Sequence, residues 1–158
     1  MPVEVEGACE PGLEVDVQRM LDALGWSRSH VSVMLVDDGA IQALNEQWRG
    51  KATPTDVLSF PQLAFVAPDM PAAGQTFEGV PTTLGDVVVS LETARSQAEV
   101  AGHGVQVELR VLIAHGLCHL LGYDHNDPDD ARAMAGRERH ALAACSVGAS
   151  SLVGRAGR

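Results

Sequence analysis

The sequence predicts a single layered domain of the α+β or α/β class, and three observations lead there. Helix-period segments are mixed with about four strand-like segments along the 158 residues. The composition is 46% hydrophobic and 20% charged, the balance of an ordinary globular protein. A chain of this length can also enclose one core, burying roughly 70% of its unfolded surface.

Leu13, Val17, Met20, Leu21 and Leu24 recur at helical spacing before Gly25, predicting a helix over 12–24. Val31–Val36 reads as a strand ended by Asp37-Asp38-Gly39. Ile41, Leu44 and Trp48 mark a second amphipathic helix, followed by a loop at 49–54 and a short strand at 56–60. Residues 61–83 carry four prolines and two glycines with weak periodicity, and predict a long exposed loop. Leu84–Leu91 reads as a buried strand with three successive valines. A helix follows over about 90–101, with Ala94, Ala98 and Ala101 on one face. Gly102 and Gly104 separate it from another over 105–121. Asp127-Pro128-Asp129-Asp130 places a cap, an N1 proline and first-turn acids at the start of a last helix running to about Ala144. The domain is expected over 1–145, with a disordered tail at 146–158.

The formal net charge of −10 argues against bulk electrostatic coating of nucleic acid, though not against an enzyme with a locally positive cleft. No apolar run approaches the ~20 residues that span a bilayer, so no membrane partner is expected. The opening Met1-Pro2-Val3-Glu4-Val5-Glu6 has neither a basic start nor an apolar core, which makes the cytoplasm the expected location. Cys9, Cys118 and Cys145 are odd in number and lack CxxC spacing, as reduced thiols do. Cys118 is expected to pack in the core, because it cannot share a helix face with His119.

Half of the six histidines fall within the eleven residues His115-Gly-Leu-Cys-His119-Leu-Leu-Gly-Tyr-Asp-His125. His115 and His119, four apart on a helix, stand one above the other and can take two corners of a tetrahedral metal site. Gly122 permits the turn that returns His125 as a third ligand. Three histidines leave a fourth position open, the arrangement of a catalytic zinc, although imidazoles also suit nickel, copper or iron. His30, His103 and His140 have no partners in sequence and read as bystanders. Glu108, two turns before His115 on the same face, could orient a ligand. The spacing matches the zinc proteases in its histidines and glycine. Gly116, however, stands where those enzymes need the glutamate that serves as base, which removes the obvious peptidase mechanism.

The second unusual stretch is Asn45-Glu-Gln-Trp-Arg49-Gly-Lys51-Ala-Thr-Pro-Thr55-Asp56-Val-Leu-Ser59-Phe60-Pro61. It holds the only lysine of the chain, two residues from an arginine whose planar fork suits a phosphate.

In this order the elements resemble the bacterial YbeY family of endoribonucleases, also described as rRNA maturation factors. The family motif HGxLHLxGYDH stands here as HGLCHLLGYDH, departing at Cys118. The N-x-x-(aromatic)-R-x-K…TDVLSFP stretch and Leu84-Gly85-Asp86-Val-Val-Val-Ser90 match as well. The resemblance covers about 31–142; the 62–83 loop is longer than usual for the family. It implies an α+β domain with a small mixed four-stranded sheet and about five helices. It also implies one Zn²⁺ held by His115, His119 and His125, and Arg49 as an arginine important for RNA cleavage. The implied role is zinc-dependent, single-strand endoribonuclease action on the 3′ end of small-subunit ribosomal RNA, with a part in ribosome quality control. The small ribosomal subunit and ribosomal or assembly proteins are the implied partners. A competing reading is an assembly factor whose zinc is mainly structural. Asp124 is near the motif, but its direction cannot be read from sequence.

Overall fold

The computed structural model describes residues 3–7 and 10–148. The elements run β1 (Val3–Glu6), α1 (Leu13–Leu24), β2 (His30–Val36), α2 (Asp38–Arg49), β3 (Val57–Pro61), β4 (Phe65–Ala67), β5 (Met70–Pro71), β6 (Thr83–Ser90), α3 (Leu91–Ala101), α4 (Val105–Leu120) and α5 (Pro128–Ala143). The predicted α+β class and mixed four-stranded sheet are what the chain forms: the order is β1-β2-β6-β3, with β3 antiparallel to β6 and the other pairs parallel.

Strand alternation divides the apolar side chains between the sheet's two faces. Val33, Leu35, Val87 and Val89 join the main core with α1, α4 and α5. Val88 and Leu58 turn the other way and meet Ile41 of α2. Helix α4 is buried almost all round, from Glu108 to Cys118, so it is the central helix rather than a surface one. Each of its fully buried leucines contributes about 1.5–3 kcal/mol relative to exposure. Any ligand carried on α4 is therefore held by core packing.

Caps fix the ends that matter. Asp37 Oδ1 accepts from Ala40 N at 2.7 Å to start α2, and Asp127 Oδ1 accepts from Asp130 N at 2.8 Å to start α5. At the junction of α2 and α3, Asp38 accepts from Thr93 Oγ1 at 2.7 Å and from Ser90 Oγ at 2.5 Å. These hydroxyls hold its carboxyl below the usual range.

Three parts of the fold differ from the sequence expectation. Residues 3–6 form an edge strand paired in register with Val31–Met34, too short to show a periodicity of its own. The 61–83 segment is not simply an exposed loop: it contains the β4–β5 hairpin, Leu63 enters the core, and Phe65 packs edge-on against Trp26 at 5.7 Å. At the C-terminal end, Val147 packs on the core and its N–H reaches Leu142 O at 3.0 Å, so order continues past 145. The rest of the expected tail, 149–158, lies outside the described residues, as does Cys9.

Candidate metal centre

Helix α4 presents His115 and His119 one turn apart, and the chain must then reverse to bring in His125. Gly122 makes the reversal at φ +91°, where a Cβ would lie 2.8 Å from Phe65 Cβ. Both the backbone and the space there require glycine. One ligand nitrogen from each of His115, His119 and His125 falls within a 4.8 Å group, so the three rings could hold a metal ion. The His115 and His125 rings stack with centroids 5.6 Å apart; the His119 ring stands across both.

The donor chemistry fits a metal. His115 Nδ1 lies 2.8 Å from Glu138 Oε1, and His119 Nδ1 lies 3.0 Å from Tyr123 O. A carboxylate and a carbonyl accept, so both rings carry their N–H at Nδ1 and turn the Nε2 lone pair inward. Those two Nε2 atoms are 3.1 Å apart. Two lone pairs at that separation repel unless a cation lies between them. Two corners of a tetrahedral site with ~2.0–2.1 Å bonds would be about 3.3 Å apart. Burial, then the neighbouring His115, pushes the His119 imidazole down to about 4, which favours the neutral ring that ligation needs.

Gly116 lies where α4 crosses the sheet. A Cβ there would meet Val87 Cγ1 at 2.7 Å and Ser59 Oγ at 3.2 Å, and the Gly116 carbonyl accepts from Ser59 Oγ at 2.9 Å. A glutamate at this position would be driven into the sheet, so the peptidase geometry is unavailable for a steric as well as a chemical reason.

A cleft of about 690 Å³ opens over the histidines and is lined also by Arg49, Thr55, Asp56, Ser59 and Asp124. Arg49 ends α2, and Gly50 at φ 70° turns the chain away. The following loop is tied back by Asn45, whose Nδ2 donates to Thr53 O at 2.9 Å. The fold thus brings Arg49 to the histidine cleft from a helix far from α4 in the sequence. Asp124 faces the same cleft, its carboxylate accepting from His125 N at 2.8 Å and Asn126 Nδ2 at 3.2 Å.

Other sequence candidates fall elsewhere. Glu108 does not orient a site ligand: it is buried beside His103, Nε2 to Oε1 2.7 Å. The carboxylate that does is Glu138 of α5, which no local pattern announced. Cys118 is fully buried, with its thiol pushed up chiefly by desolvation, and is not part of the histidine group. His140 Nε2 donates to Ala23 O at 3.0 Å, away from the cleft.

The hairpin segment supports the site from behind. Asp69 accepts from Trp26 Nε1 at 3.0 Å and Tyr123 Oη at 2.5 Å, pairs with Arg137 at 3.5 Å, and donates its N–H to Leu121 O at 2.9 Å. Burial, then Asp69, raises the Tyr123 phenol to about 12. Tyr123 also supplies the carbonyl that orients His119, so Asp69 braces the turn between the second and third histidines.

Residues 10–146 match the family model described as Endoribonuclease YbeY. The chain is 46% identical over 136 residues to an endoribonuclease YbeY of Anaeromyxobacter dehalogenans, covering 85% of this chain and 64% of that protein. A relative of that name from Anaeromyxobacter sp. is 48% identical over 118 residues, 75% of this chain and 55% of the relative. The Acidothermus cellulolyticus relative is 40% identical over 162 residues, with 98% of each covered. The chain therefore spans about half to two thirds of the two Anaeromyxobacter proteins and nearly all of the third. The solution structure of a Thermotoga maritima protein shares the fold, with TM-score 0.60 and 24% identity over 90% of this chain and 87% of that one. Among the described residues no helix is long and apolar enough to cross a membrane. With the model match over nearly the whole described chain and relatives at 40% identity or more, the chain belongs to the YbeY family.

Proposed function

We propose that this protein is a zinc-dependent endoribonuclease that cuts single-stranded RNA, with the 3′ region of small-subunit ribosomal RNA as substrate and ribosome quality control as its setting. The observation that carries the reading is a single cleft lined by His115, His119, His125 and Arg49. A closed structural metal site would have no reason to open onto such a cleft beside a guanidinium, which favours the catalytic reading over a purely structural zinc. A ribosomal substrate also places the work in the cytoplasm, with the small subunit and its proteins as partners.

His115, His119 and His125 would hold the ion, and three protein ligands with one open position is the arrangement that catalytic zinc takes. When bound it supplies Lewis-acid polarisation of a phosphoryl oxygen. Arg49 contacts the scissile phosphate in a bidentate manner and offsets the charge that develops on it. Of the two cleft carboxylates, Asp56 and Asp124, we assign Asp124, which precedes His125, as the acceptor of the attacking group's proton. Glu138 and the Tyr123 carbonyl keep the two α4 rings in the ligating tautomer.

The test is cleavage of single-stranded ribosomal RNA fragments by wild type, His115→Ala and Arg49→Ala, with metal content measured on the same preparations. Wild-type protein should hold one zinc and cleave, His115→Ala should lose both properties, and Arg49→Ala should keep zinc but lose at least tenfold in rate. Undiminished cleavage in both variants defeats the reading.

A further inference from the structure

Trp48 is 64% exposed on the last turn of α2, immediately before Arg49. An indole is a large apolar surface that proteins usually cover, and one left open beside a cleft marks a contact site. Its ring is not loose. It meets Phe60 edge-on, with centroids 6.1 Å apart and planes at 68°. Phe60 is half-buried against the cluster of Ile41, Leu58 and Val88, which anchors the pair to the sheet.

The position relative to the cleft follows from β3. That strand is the edge of the sheet, paired with β6 on one side alone. Its alternation sends Ser59 towards α4, where it bonds Gly116, and Phe60 towards α2. Leu58, which shares a strand face with Phe60, lines the cleft, and so does Arg49, the neighbour of Trp48. The aromatic pair therefore flanks the cleft along one strand edge and one helix end. Lys51 is exposed two residues further on, its N–H 3.3 Å from Asn45 O. Trp48 is not itself a lining residue of the cleft, but of the large exposed apolar side chains (with Val15, Val66, Met70, Phe77, Val80 and Val100) it alone adjoins one in the chain.

An exposed indole flanked by a guanidinium and an ammonium has the chemistry that recognises a single-stranded polynucleotide, with stacking for the base and positive charge for the backbone. We propose that Trp48, backed by Phe60, is a nucleobase-stacking subsite for an unpaired base next to the phosphate held by Arg49. The proposal rests on the endoribonuclease reading and adds a reason for single-strand preference. A base inside a duplex has both faces covered and cannot stack on Trp48. Stacking accepts any base, so the subsite selects for strandedness and not for sequence.

The test uses zinc-loaded full-length protein and a fluorescein-labelled single-stranded oligonucleotide of 2′-O-methyl RNA, with its matched duplex as control. Affinity is followed by anisotropy, and stacking by quenching of tryptophan emission with the unlabelled strand. Wild type should bind the single strand with quenching and bind the duplex weakly. Trp48→Ala should lose the quenching and about 5- to 100-fold in affinity. Trp48→Phe should restore most of the affinity, and all variants should melt as wild type does because the indole is exposed. If Trp48→Ala binds the single strand as tightly as wild type while cleavage persists, the subsite is refuted and the endoribonuclease reading stands. If it binds RNA normally but no longer sediments with small ribosomal subunits, Trp48 is a protein contact and the subsite is likewise refuted. If wild type neither binds nor cleaves single strands, the endoribonuclease reading itself falls and takes the subsite with it.

Discussion

Glu138 Oε1 lies 2.8 Å from His115 Nδ1, joining a carboxylate of α5 to a ring of α4 across 23 residues of sequence. Glu138 is only 7% exposed, so this contact is made where water competes poorly. Its purpose is legible from the other end of the ring, which turns to the histidine group.

Removing that support should weaken metal binding more than folding. Glu138→Ala is expected to lower zinc affinity about 10- to 100-fold. Glu138→Gln keeps an acceptor oxygen and should lose less. Competition against a chromogenic chelator measures both, and wild-type affinity in Glu138→Ala would contradict the assigned contact.

Gly116 predicts a steric penalty. Ala at this position forces its Cβ against Val87 Cγ1 and should cost about 1–3 kcal/mol in urea unfolding. Glu should cost more and should produce no casein cleavage. Recovery of stability in Gly116→Ala combined with Val87→Ala would identify the clash directly.

Asp69 predicts a split between its charge and its backbone. Its φ is +60°, a conformation Asn tolerates better than Ala. Asp69→Ala removes the acceptor for Trp26 and Tyr123 and leaves Arg137 short of a partner. The expected loss is about 2–4 kcal/mol. Asp69→Asn should lose roughly half as much. Equal losses would show that the carboxylate charge, which both variants lack, carries the effect and that backbone strain contributes little.

His119 predicts a pH dependence in the metal-free protein. Its imidazole is pushed from 6.5 down to about 4, first by burial and then by His115. Between those values the unfolded chain takes up the proton and the folded chain resists it. Stability is therefore fully present above about pH 6.5 and is lost as pH falls towards about 4. The urea midpoint should decline across that window, and His119→Gln should flatten the decline. An equally steep profile in the variant would remove His119 as the cause.

The sequence alone singled out the three histidines that come together, the class of the fold and most helix limits. Those depend on short-range regularities: the four-residue spacing of His115 and His119, the turn at Gly122, and the capping run that begins at Asp127. It also placed Arg49 near the site, but only through a family resemblance, because nothing local links a helix end at 49 to a helix at 115. Packing between helices set which carboxylate serves His115. Glu108 had the helical spacing, yet it pairs with His103, and Glu138 arrives from another helix. The tertiary structure likewise turned part of the 61–83 segment into a hairpin whose Asp69 braces the histidine turn. Helical periodicity reports which residues share a face. It carries no information about what a neighbouring element brings to that face, since long-range contacts are fixed by packing and not by spacing along the chain.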